Sequence, residues 1–200
     1  MGTCDMFFKN LQLKKGVTLS VVLAEVHLPV RLGHRDADKL FGEPLRAQLA
    51  AAGLGRLNEC RPRLSFKGDV IGVDLFLALT DAGRSALETV ARMLEALKAP
   101  LGSSLRLSEG IGDPLIFGAT EGLELSISSE AAPNAEARKA LAAACNEVMD
   151  NTTVSRGWDR KQDRTVFYFY GENYARMQET LADILNGHPL FGSAITRRLA

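Results

Sequence analysis

The chain has 200 residues, 46% of them hydrophobic and 24% charged, a globular composition that excludes an intrinsically disordered protein. Lysine plus arginine and aspartate plus glutamate number 24 each, so no net field draws the chain to nucleic acid or anionic lipid. A local basic patch is compatible with that balance, and the length suits one large domain or two of about a hundred residues.

Val17–His27 alternates apolar with polar or small residues, with Val17, Leu19, Val21 and Leu23 on one face and Thr18 and Ser20 on the other, and is expected as a strand. Asp36–Ala52 has helical spacing through Leu45, Leu49 and Ala52 and is stopped by Gly53 and Gly55. Pro44 calls for a turn before a helix starting near Glu43, or for a kink. Cys60–Phe66 and Val70–Leu79 flank Lys67-Gly68-Asp69 as a hairpin, with Ile71, Val73, Leu75, Leu77 and Leu79 sharing a face. Thr80 or Asp81 is the expected cap of a helix on Leu87, Val90, Leu94 and Leu97, which Pro100 ends. Ser103–Leu107 is a short strand, and Glu109–Thr120, with three glycines and a proline, is the expected link to a second half.

The order then repeats. Gly122–Ser128 alternates as a strand, and Asn134 caps a helix over Ala135–Met149 with Ala137, Leu141, Ala144 and Val148 inward. Thr152–Arg156 and Thr165–Tyr170 are strands around a charged loop. A helix on Tyr174, Met177, Leu181 and Ile184 follows, then a strand over Ala194–Leu199. A sequence echo accompanies the repeated order: Glu88-Thr89 before Ala91, Leu94 and Pro100-Leu101, and Glu179-Thr180 before Ala182, Leu185 and Pro189-Leu190. Each stretch leads into its terminal strand through a serine, Ser104 and Ser193.

This strand–helix–strand–strand–helix–strand order resembles the ferredoxin-like fold, an antiparallel sheet with two helices on one face. The expected fold class is therefore α+β, with two tandem βαββαβ units. Residues 1–110 form the first, with an N-terminal extension; residues 121–200 form the second, and 111–120 join them. The resemblance is topological and implies no activity, because that fold hosts many. In such a unit one sheet face stays bare. On the first unit that face is expected to carry Val22, Ala24, Val26, Val70 and Phe76 beside Thr18, Ser20 and Asp74, the more apolar face of the two units. It should pack on the other unit, a second copy or a ligand.

Several chemistries have no support. The apolar run Val70–Leu79 is broken by Gly72 and Asp74 and is too short to span a bilayer. The N-terminus lacks the order of a signal peptide. Cys4, Cys60 and Cys145 are odd in number and widely spaced, which suits a reducing compartment and a cytoplasmic location. There is no phosphate-binding glycine loop, nucleophile elbow or zinc helix, and no catalytic residue, cofactor or metal is assigned. His27, His34, Asp36 and Asp38 lie close in sequence but match no compact metal or acid–base site, and Asp36 fits a helix cap. Cys60 has an arginine neighbour, Arg61, that could lower its pKa, but no assigned base; packing is its expected role.

The segment Arg156–Arg164 concentrates the candidate contact residues Arg156, Trp158, Arg160, Lys161 and Arg164 beside Phe167-Tyr168-Phe169-Tyr170. Arginine next to aromatic residues is the composition of interface hot spots. Aromatics on a third strand are similar to RNA-recognition modules, but the glycines of that motif are missing and nucleic acid is disfavoured. The expectation is a non-catalytic protein-interaction or ligand-binding protein, of toxin-neutralising or regulatory type, with a protein partner or a second copy and no membrane. The alternative is a small cytoplasmic enzyme with its site between the two units.

Overall fold

The computed structural model describes residues 21–199 apart from 109, 111, 150–153, 162 and 187–190, with the backbone alone described for 154–161 and at Ile184. The expectations placed on Val17–Ser20, Thr152 and Pro189-Leu190 fall outside these residues. The first half runs β1 (Val22–Leu28), α1 (His34–Ala37), a π-helical turn (Asp38–Gly42), α2 (Glu43–Ala52), β2 (Gly55–Leu64), β3 (Val70–Leu79), α3 (Arg84–Ala96) and β4 (Ser103–Leu107). After β5 (Leu115–Phe117) come β6 (Glu121–Ser128), α4 (Ala135–Val148), β7 (Val154–Lys161), β8 (Arg164–Gly171), α5 (Tyr174–Asn186) and β9 (Ile195–Arg198).

The strands form two antiparallel sheets, β2-β3-β1-β4-β5 and β7-β8-β6-β9. With β5 set aside, both have the order second, third, first, fourth strand of a βαββαβ unit, which is the ferredoxin-like topology. The segment expected as a plain linker therefore contains a strand, paired to β4 at the edge of the first sheet.

The helical stretch from His34 to Ala52 resolves the problem that Pro44 poses. Proline has no N–H to donate and its ring would strike the carbonyl one turn back. A π-helical turn just before it absorbs the fault, with the Glu43 N–H bonded to the Asp38 carbonyl. Neither Thr80 nor Asp81 caps α3: its N-cap is Gly83, and the Asp81 carboxylate accepts from the Gly83 N–H at 2.7 Å in the preceding turn. Asn134 does cap α4, accepting from the Ala137 N–H at 2.8 Å. Ala137 and Leu141 of α4 pack inward as expected, but toward the end of the helix Cys145 and then Met149 are buried in place of Ala144 and Val148, which are exposed.

Strand phase decides which residues face the helices. Ala24, Val26 and Leu28 lie opposite Leu77, Leu75 and Val73, and all six are buried. The expectation that Ala24 and Val26 line the bare face is therefore reversed, and Leu23, Glu25 and His27 line it instead. A one-residue slip exchanges every side chain between faces. The adjacent Val21-Val22 allows both phases, and the phase that leaves Glu25 and His27 on the water side prevails.

The second sheet puts Leu123, Leu125, Ile127, Phe167 and Phe169 under α4 and α5. Val166, Tyr168 and Tyr170 alternate onto its other face and join the apolar cluster of the first half, together with Val30, Leu32 and Phe117. The Tyr170 hydroxyl accepts from the Arg31 N–H at 3.0 Å, and the Arg31 guanidinium donates to the Val70 carbonyl at 2.6 Å. The more apolar outer face thus belongs to the second unit, and the first half covers it.

Candidate functional site

The outer face of the first sheet carries a connected ion network. Asp74, in the middle of β3, is 5% exposed. A carboxylate so placed needs cationic partners, because an unpaired buried charge is strongly destabilising. Its Oδ1 lies 2.8 Å from His27 Nδ1 and its Oδ2 accepts from Arg63 Nε at 2.9 Å. Arg63 also reaches Glu25 at 3.5 Å, and Glu25 accepts from Arg106 at 3.1 and 2.6 Å. The Arg106 guanidinium is held above its usual range by its hydrogen bond and charge contact with Glu25.

Register explains the meeting of residues so distant in sequence. Across the sheet, Arg61, Asp74, His27, Ser104 and Ile116 form one row, and Glu59, Phe76, Glu25 and Arg106 the next. Gly72 makes room for the histidine, since a Cβ there would collide with the imidazole. Asp74 Oδ1 orients the imidazole through Nδ1, leaving Nε2 on the opposite edge of the ring. Among the described residues, no hydroxyl or thiol hydrogen-bonds that nitrogen. Ser104 shares the row without a bond to His27, so among the described residues the geometry supplies an oriented imidazole with no nucleophile attached.

The rest of the face is mixed. Arg61 lies over the Phe76 ring at 4.4 Å, a cation–π contact, while Leu23 is 47% and Ile116 62% exposed. The second sheet repeats one of these rows. Tyr168, Glu124 and Arg197 stand in register as Phe76, Glu25 and Arg106 do, and Glu124 pairs with Arg197 at 3.0 Å. The neighbouring row differs, with Val166 and Ser126 where the first sheet has Asp74 and His27.

The residues singled out from sequence are dispersed. His34 and Asp36 are exposed in α1, and Asp38 accepts from Arg46 at 2.7 Å, away from His27. Among the described residues, no group of three or more His, Cys, Asp or Glu could hold a metal ion. Cys60 is buried, and burial, reinforced by Asp38, pushes its thiol up to about 11, the reverse of activation by Arg61.

Arg156, Trp158, Arg160 and Lys161 belong to β7, an edge strand, rather than to a charged loop, and the backbone of Trp158 pairs opposite Phe167. Their side chains lie outside the described residues. Arg164 opens β8, and its guanidinium donates to the Ser126 hydroxyl and carbonyl and the Ser193 carbonyl, each at 2.7 Å.

The first sheet holds a second feature that sequence reasoning passed over. The turn between β2 and β3 leaves Phe66 fully exposed at 113%, with Leu64 at 56% and Ile71 at 39%. Ser65 fixes that turn: its N–H donates to the Asp69 carbonyl at 2.8 Å and its hydroxyl accepts from the Lys67 and Asp69 N–H groups at 3.2 Å. Gly68 supplies the positive φ, +84°, that the turn requires.

No family model matches the chain, and no curated protein matches it. Among solved structures it is similar to a candidate glycine cleavage system transcriptional repressor, at 9% identity and a TM-score of 0.30, covering 89% of this chain and 95% of that one. It is also similar to the first two RRM domains of the yeast poly(U)-binding protein, at 9% identity and a TM-score of 0.25, covering 89% of this chain and 99% of that one. Likeness at this level adds nothing to the strand order, and the chain is defined by its own topology as a pair of ferredoxin-like sheets.

Proposed function

We propose that the protein is a non-catalytic binding protein, regulatory or toxin-neutralising in type, and that it meets a protein partner through the outer face of the first sheet. The observation that carries this reading is the asymmetry of cover. Tyr168 and Tyr170 are buried on the second sheet, while Leu23, Ile116 and the Arg61-stacked Phe76 remain accessible on the first. Exposed aliphatic and aromatic groups interleaved with arginines are suited to an interface core with a polar rim. A second copy of this chain is among the partners such a face fits.

Arg156, Trp158, Arg160 and Lys161 on β7 enter the reading as a second contact element, with Arg164 holding the start of β8. The reading keeps a cytoplasmic location and a division into units 1–110 and 121–200, with β5 of the joining segment added to the first sheet. It is supported over an enzyme with its site between the units because Val166, Tyr168 and Tyr170 fill that contact with apolar surface, where catalysis would call for converging acids and bases.

The test compares the wild type with Leu23→Asp/Ile116→Asp, both confirmed folded by circular dichroism. Proteins co-purifying from the native host should be retained by the wild type and lost by the double variant. Retention of the same proteins by both would overturn the assignment of this face.

A further inference from the structure

The tip of the β2–β3 hairpin belongs to neither apolar cluster, yet it concentrates three exposed apolar residues, Leu64, Phe66 and Ile71, on a turn locked by Ser65. Such a knob presents its apolar groups without further ordering, so little conformational entropy is lost on contact. Strand addition is not its mode of contact, because β2 is an edge strand guarded by Pro62 and by charged Arg61 and Arg63. Contact must therefore come through inserted side chains.

The charge around the tip decides what they insert into. Since β1 and β3 are antiparallel, the loop following β1 emerges at the same end of the sheet as this hairpin. That end brings together Arg31, Arg35 and Lys67 against Asp36 and Asp69, while Arg63 is paired with Asp74 and Glu25. Lys67 and Arg35 are exposed, and Arg31 is anchored on Val70, beside the turn. An apolar tip accompanied by the exposed cations Lys67 and Arg35 complements a surface that is anionic outside and apolar a few ångströms in.

We propose that this end of the first sheet docks reversibly on an anionic lipid surface, with Phe66 and Leu64 inserted at the headgroup boundary and Lys67 and Arg35 at the phosphates. The chain's neutral total charge does not oppose this, because headgroup attraction is local and falls off within a Debye length. One aromatic and parts of two aliphatic side chains give weak, salt-sensitive binding rather than stable anchoring.

The test is co-sedimentation of the full chain with phosphatidylcholine–phosphatidylglycerol vesicles and with pure phosphatidylcholine vesicles at low salt. The wild type should sediment with the mixed vesicles only. Phe66→Asp should weaken this roughly tenfold or more, and Lys67→Gln about fivefold. Both variants should keep the wild-type circular dichroism spectrum, because neither residue is buried. No sedimentation with the mixed vesicles, or Phe66→Asp sedimenting as well as the wild type, overturns the proposal. Loss of a protein partner in Phe66→Asp without any vesicle binding overturns it too, and assigns the tip to an acid-rimmed protein pocket.

Discussion

Phe76 and Tyr168 hold equivalent positions in the two sheets. Each lies on the third strand of its unit, opposite a glutamate that pairs with an arginine on the fourth strand. Phe76 is partly open to water under Arg61, whereas Tyr168 is 7% exposed within a cluster shared by both halves. The neighbouring row sets the difference. Asp74, His27 and Arg61 make the first face ionic and wet, while Val166 makes its counterpart dry. One unit design thus yields a buried apolar face and, among the described residues, a face that stays partly open to water, by exchange of a few cross-strand side chains.

The sharpest way to break this comparison is to truncate both aromatic residues. Tyr168→Ala opens a cavity in the shared cluster and should cost about 3 kcal/mol, whereas Phe76→Ala should cost about 1 kcal/mol. Urea unfolding of the two variants measures the gap, and equal losses would remove the distinction between the faces. A smaller loss is expected for Asp74→Ala, about 2 kcal/mol, since Arg63 and His27 keep water access once their partner is gone. The same urea titration reads it; a loss below that of Phe76→Ala would mean that the ion network is ornamental.

The smallest expected effect lies at high pH, where each half has its own reporter. Burial pushes Cys60 up to about 11 and Cys145 up to about 12, from an ordinary value of 9.0. In both cases the unfolded chain releases the proton first, so the contribution is complete below pH 9.0 and is lost as pH rises through the folded value. Stability should therefore decline gradually above that point. Replacing either buried cysteine by alanine should flatten the decline, which thermal melts at stepped pH would show.

Much of the fold was legible because long apolar alternation leaves little choice. Val73 to Leu79 could only be a strand with a buried face, although Ile71, expected on that face, is exposed at the strand's start, and Asn134 could only begin a helix. The errors share a physical cause: short or charged segments carry too little periodicity. Val21-Val22 left the phase of β1 open, β5 is three residues between Pro114 and Gly118, and the charges of β7 suit an edge strand as well as a loop. The ion network was hidden by sequence distance, with Asp74 forty-seven residues from His27. Its trace was nevertheless present, because a carboxylate and a glycine inside a buried strand demand cationic partners and a close neighbour. Phe66 was assigned to the end of a strand, a place that conceals an exposed tip.

The measurement that bears most directly on the asymmetry of the two faces is hydroxyl-radical footprinting of the native protein, read residue by residue by mass spectrometry. Leu23, Phe66 and Ile116 should oxidise rapidly, while Tyr168 and Tyr170 should be protected until the chain is unfolded. Oxidation of Tyr168 and Tyr170 at the rate of Phe66 would show the second face open to water, and would contradict the account.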